Sequence, residues 1–134
     1  MQLSIPNWRL VGAVTLLMAS FSASAETRVD QVWSCTLNED KTVEDLNAVH
    51  GKWLAWANKQ SYGGDIRGYI VSPIVSANLN VVLIIDSYPD FATFVADGEA
   101  YSNSEEGQAI NDEYDAVSTC TSNALYSSTD SGSN

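Results

Sequence analysis

Val81 to Phe94 (VVLIIDSYPDFATF) is the stretch that decides the fold. Its first five residues are apolar at every position, the mark of a strand covered on both faces. Ser87-Tyr88-Pro89-Asp90 then makes a sharp strand-to-helix junction, with Ser87 or Asp90 as cap and Pro89 tolerated in the first turn. Phe91, Phe94 and Val95 give a short helix ending near Gly98.

Upstream, Ile66 to Val75 (IRGYIVSPIV) is strand-like, with Pro73 marking an edge or a break, and Ser76-Ala77-Asn78 is a turn. Thr42 caps an amphipathic helix reaching Lys59 or Gln60, with Glu44 and Asp45 in its first turn, where the helix dipole favours acids. Val43, Leu46, His50, Trp53, Leu54 and Ala57 share one face of it, and Gly63-Gly64 stops it. Val29 to Leu37 alternates as a first strand, with Val29, Trp33, Cys35 and Leu37 on one side. Downstream, Ser104 caps a helix carrying Ala109, Ile110, Tyr114 and Val117 at helical spacing, weakened by Gly107. Thr119 to Tyr126 is the last strand, and Ser127 to Asn134 is a Ser-rich tail expected to be disordered.

The predicted class is α+β, in the ferredoxin-like split βαβ order β-α-β-β-α-β. It has a four-stranded antiparallel sheet with helices on one face. The doubly apolar third strand leaves a second apolar face, and another copy of the chain is its simplest cover, so a homodimer through the free sheet face is expected.

Residues 1–25 read as a signal peptide. Arg9 closes a polar start, Leu10 to Met18 is an apolar run, and Ala23-Ser24-Ala25 offers a small-x-small cleavage site. The run is too short to span a bilayer, so no membrane contact is expected after cleavage. The expected location is periplasmic or secreted, with one domain over residues 26–126. After cleavage, five basic residues face seventeen acidic ones, a net charge of −12. Such a surface repels phosphate backbones and argues against nucleic acid as a partner. Cys35 and Cys120 form an even pair in an exported chain and read as a disulfide. The alternative, metal or redox thiols, needs CxxC spacing or nearby histidines, and neither is present.

The element order and the Val81 to Phe94 stretch resemble the dimeric α+β barrel superfamily, which includes antibiotic-biosynthesis monooxygenase-type and NIPSNAP-type domains. The resemblance implies an aromatic-lined cavity between sheet and helices. Some of these enzymes oxidise aromatic substrates with dioxygen and no cofactor, and others degrade haem. No catalytic motif of that group transfers residue by residue, and export, a disulfide and a single histidine depart from its enzymes.

His50, the one histidine, lies within the apolar helix stripe. An imidazole there suits a general base or an axial haem ligand, and is equally well satisfied as a buried histidine bonded to a carbonyl or carboxylate. Trp33, Trp53 and Trp56, with Tyr62, Tyr69 and Tyr88, can line a pocket for a flat ligand or fill a core or interface. Trp56 lies off the stripe centre, which favours interface or pocket. Arg67 suits a substrate carboxylate or a solvent-exposed ion pair. The candidate ligand residues are therefore Trp53, Trp56, Arg67, Tyr69 and Tyr88, and His50 is the candidate catalytic residue. No metal site is expected, because the paired acids point about 100° apart on a helix and follow no EF-hand order. The cofactor is left open. The leading expectation is a non-catalytic module binding a small apolar or aromatic molecule or serving in assembly. The alternatives are a cofactor-independent monooxygenase-like or haem-handling enzyme, and a subunit of an envelope complex.

Overall fold

The computed structural model describes residues 26–131. The signal-peptide reading and the last residues of the Ser-rich tail lie outside the described residues. The elements run β1 (Thr27–Leu37), α1 (Val43–Lys59), β2 (Arg67–Val71), β3 (Val81–Tyr88), α2 (Phe91–Asn103), α3 (Glu105–Val117) and β4 (Ser118–Thr129). The sheet order is β2-β3-β1-β4 with every neighbouring pair antiparallel. This is the expected ferredoxin-like plan, with the second helix divided in two at Ser104.

Local chemistry explains most boundaries. Thr42 closes a capping box on α1: its hydroxyl accepts from the Asp45 amide at 3.2 Å, and the Asp45 carboxylate accepts from the Thr42 amide at 2.9 Å. Asn58 fastens the end of α1 to the start of β2, accepting from the Gly64 and Ile66 amides and donating to the Ile66 carbonyl. At α2, Asp90 is the cap and accepts from the Thr93 amide at 2.7 Å.

Four boundaries differ from expectation. Strand β2 stops at Val71, not Val75, because Pro73 has no amide to donate, and Ile74 and Val75 stand in solvent. Strand β3 continues to Tyr88, drawn on by pairing with Val29. Helix α2 runs through Gly98 to Asn103, since an exposed glycine costs only about 1 kcal/mol in a helix. The stop comes at Ser104, whose hydroxyl accepts from the Gly107 amide at 3.0 Å and opens α3. A Cβ on Gly107 would collide with the Tyr101 carbonyl, so this glycine makes the helix junction possible. Finally, β4 extends to Thr129, beyond the domain end expected at Tyr126, because Ser127 to Thr129 pair with Thr27 to Val29.

The Cys35–Cys120 disulfide joins directly paired residues of β1 and β4 beside a bulge. Closing a loop across 85 positions stabilises the fold by roughly 4–5 kcal/mol in the chain-entropy treatment.

The pleat sorts the sheet into two unlike faces. Val82, Ile84, Asp86 and Tyr88 of β3 lie under the helices with Trp33 and Cys35 of β1, packed on Leu46, Val49, Trp53 and Ala57 of α1. The other face has no covering element among the described residues. One row of it runs Tyr69, Ile85, Val32, Ala124 across all four strands, and the next holds Val71 and Leu83.

Candidate functional site

Between the sheet and the three helices lies a cavity of about 670 Å³. Its walls are Trp33, Trp53, Tyr88, Phe94, Tyr101 and Tyr114, and its carboxyl groups are Asp86, Asp97 and Asp115. No lysine or arginine lines it.

The cavity floor is built around Asp86. It is the last helix-facing residue but one of β3, and it pairs across the sheet with Gly68 and Gln31. His50 descends from α1 onto this spot. A Cβ on Gly68 would collide with His50 Nε2, so glycine at this strand position makes room for the imidazole. His50 Nε2 and Asp86 Oδ1 are 3.8 Å apart, too far for a hydrogen bond, and each is buried without a partner. The ring stacks on Trp53 at 5.3 Å, and its Nδ1 is 2.8 Å from the Tyr114 hydroxyl. With Tyr114 donating, the imidazole proton is left on Nε2, facing Asp86.

Burial sets the charge state. It pushes the Asp86 carboxyl up to about 8, helped by the negative charge of Asp97 and opposed by a hydrogen bond from Trp33. Burial alone takes His50 down to about 4. Near neutral pH the pair is therefore chiefly carboxylic acid and neutral imidazole, not an ion pair. Asp97, on α2, is raised by burial too, while the hydroxyls of Tyr88 at 3.1 Å and Tyr62 at 3.2 Å donate to its two oxygens and pull the other way. Both phenols are held well above the usual tyrosine range, burial first and the nearby carboxylates second.

Of the residues singled out by sequence, Trp53 and Tyr88 reach this cavity, and His50 lies buried behind Asp86. Trp56 is core, 5 % exposed and packed edge-on against Tyr101, because its side of α1 faces α2 and α3. Tyr69 and Arg67 point to the open sheet face, since Gly68 and Ile70 take the helix side. Tyr69 is half-exposed, and Arg67 pairs with Glu26 and Asp65. Sequence reasoning missed Asp86, Asp97, Tyr101 and Tyr114. Asp86 did carry a signal: a carboxylate directly after five apolar strand residues. The residues do not fit haem, since the single histidine stands behind a carboxyl group and no cation lines the cavity to meet propionates.

No family model matches this sequence, and no curated protein sequence matches it. Among solved structures, the chain is similar to a mutant of SnoaB, a cofactor-independent oxygenase from Streptomyces nogalater. The TM-score is 0.55 at 16 % identity, over 74 % of this chain and 90 % of that one. It is also similar to a conserved protein from Methanosarcina mazei Go1, with a TM-score of 0.52 at 11 % identity, over 77 % and 92 %. The likeness to the antibiotic-biosynthesis monooxygenase-type proteins holds at the level of fold.

Proposed function

We propose that this chain is an exported, disulfide-closed homodimer that takes a small, uncharged aromatic molecule into the cavity between sheet and helices. The observation that carries the reading is the cavity lining: six aromatic side chains and three acids, with no cation. Aromatic walls favour flat ligands, and the acids disfavour anions. Export, to the periplasm or beyond, rests on the leader sequence. It agrees with the disulfide and with the lack, among the described residues, of any helix long and apolar enough to cross a membrane.

The homodimer reading rests on the open face. Its apolar row spans the whole sheet, and Val71 and Tyr126 beside it are 43 % and 55 % exposed. Charge supports a second copy as the occupant. Both arginines of the mature chain, Arg28 and Arg67, sit at one end of this face and are offset there by Glu26 and Asp65. With Asp30 joined to the same network through Ser87, two arginines there meet three carboxylates, a far smaller imbalance than that of the molecule as a whole. A heteromeric assembly with no homodimer would favour the envelope-subunit alternative.

The test is tryptophan fluorescence with two probes of the same ring system, uncharged 2-naphthol and anionic 2-naphthoate. Quenching by the naphthol, with the naphthoate at least tenfold weaker, is expected. Equal or reversed preference contradicts the reading. Oxygenase chemistry is a second reading, favoured by Asp86 Oδ1 and His50 Nε2, buried without hydrogen bonds beside a cavity of this kind. Dioxygen uptake with 2-naphthol present, lost in Asp86→Asn, would support it.

A further inference from the structure

We propose that Asp86 is the proton-transfer group of this cavity, that His50 is its positioning residue, and that the reaction class is proton abstraction from an uncharged planar aromatic ligand. The inference rests on the cavity reading above and adds a chemical step to it.

Three observations carry it. First, Asp86 lines the cavity from an inner strand, at a helix-facing position it shares with Val82, Ile84 and Tyr88, where a hydrophobic residue is the usual occupant. Second, Asp86 Oδ1 and His50 Nε2 are buried and lack partners, though their side chains are only 10 % and 6 % exposed. Buried polar atoms are almost always satisfied, and leaving two unsatisfied beside each other is a standing cost to the fold. Third, the surroundings hold the pair in place. The ring packs directly onto Gly68, Trp53 stacks on it, and Tyr114 occupies its other nitrogen. A structural histidine needs none of this to face a carboxyl group at 3.8 Å.

The groups facing Asp86 come from every packed element: His50 on α1, Asp97 and Tyr101 on α2, Tyr114 on α3, and Trp33 on β1. None is a cation at neutral pH. A proton on Asp86 is therefore retained, and its release leaves a strong, poorly solvated base. In the forward step the ligand C–H bond breaks and an O–H bond forms on Asp86. The electron pair passes into a π system conjugated with that carbon or displaces a leaving atom of the ligand, and the proton on Asp86 then goes to the ligand or to water, which restores the carboxylate. No oxidant, reductant or second substrate is consumed.

A suitable probe is 5-nitrobenzisoxazole, which is flat and uncharged. Removal of its ring C–H proton by a base breaks the N–O bond and releases a yellow cyanonitrophenolate. Binding is followed by tryptophan quenching and turnover by absorbance, on the same samples of wild type, Asp86→Asn, Asp86→Glu and His50→Gln. All four proteins should bind. Wild type should turn over at least about 10²-fold faster than Asp86→Asn. Its rate should rise with pH and level off above about 8, as Asp86 loses its proton. Asp86→Glu should restore part of the rate, and His50→Gln should keep binding but move the midpoint of the pH profile. Binding with equal turnover in wild type and Asp86→Asn overturns the proton-transfer assignment alone. An unmoved midpoint in His50→Gln overturns the positioning role. Absence of binding by every protein overturns the cavity reading beneath both.

Discussion

Each face of the sheet carries one exception to the usual distribution of polarity. Amid the apolar core, the side sealed under helices holds Asp86 of β3, with His50 of α1 and Asp97 of α2 on the helix side, all buried. The face left open carries the row Tyr69, Ile85, Val32 and Ala124. A sheet shaped by stability alone would do the opposite, since burying polar groups costs free energy and exposing apolar ones forgoes it. The contrast teaches that both faces are unfinished in the single chain. On the proposed reading, a ligand completes the polar floor of one and a second copy of the chain covers the apolar row of the other.

The open face gives the largest expected effect. Tyr69→Asp adds a charge to a half-exposed position on the edge strand β2, so the monomer fold should survive, with an unchanged far-ultraviolet circular dichroism spectrum. Sedimentation should show the mass fall from dimer to monomer. An unchanged mass would separate the apolar row from assembly.

The covered face is probed next by Gly68→Ala. The added methyl group must displace His50 Nε2, and overpacking of this kind costs about 1–3 kcal/mol in urea unfolding. A neutral result would mean that the imidazole has room to move, and that glycine is not what positions it.

Smaller, and more specific, is a pH dependence. Ordinary Asp and His values are 3.8 and 6.5, whereas burial holds Asp86 at about 8 and His50 at about 4. Between about 4 and 6.5 the folded chain keeps the Asp86 proton while the unfolded chain keeps that of His50, so their contributions cancel. From about 6.5 to 8 only Asp86 differs. The folded state binds the extra proton, and stability should fall as pH rises, by up to about 1.4 kcal/mol per pH unit. Asp97, also raised by burial, contributes a fall of the same sign only between its ordinary value and its folded one. Asp86→Asn should flatten the fall attributable to Asp86, and an undiminished slope would place the titration elsewhere. The smallest effect belongs to Tyr62→Phe. It removes one hydrogen bond to Asp97 and should cost about 1 kcal/mol.

The same contrast shows what the sequence could reveal. Alternation in β1, the Thr42 N-cap, the apolar run of β3 and the cysteine pair are local patterns, and each led to the right element or contact. The uncovered apolar face also followed, because a strand apolar at every position must present one face away from the helices. The site was not local. Asp86, Asp97, Tyr101 and Tyr114 come from one strand and two helices, and they meet His50 only through packing. No spacing encodes that convergence. Which face takes Tyr69 and Arg67 was not legible for a simpler reason: a shift of one residue in strand parity exchanges the two faces. Gly68, the residue that fixes that parity by leaving space for His50, has no side chain to signal it.

The most direct test of both unfinished faces is native mass spectrometry of the mature chain purified from an exporting host. The expected species is a dimer in which each chain lacks the two hydrogens of a closed Cys35–Cys120 bond and carries the added mass of an uncharged aromatic molecule. A bare monomer that stays monomeric across concentration and takes up no 2-naphthol would contradict the account.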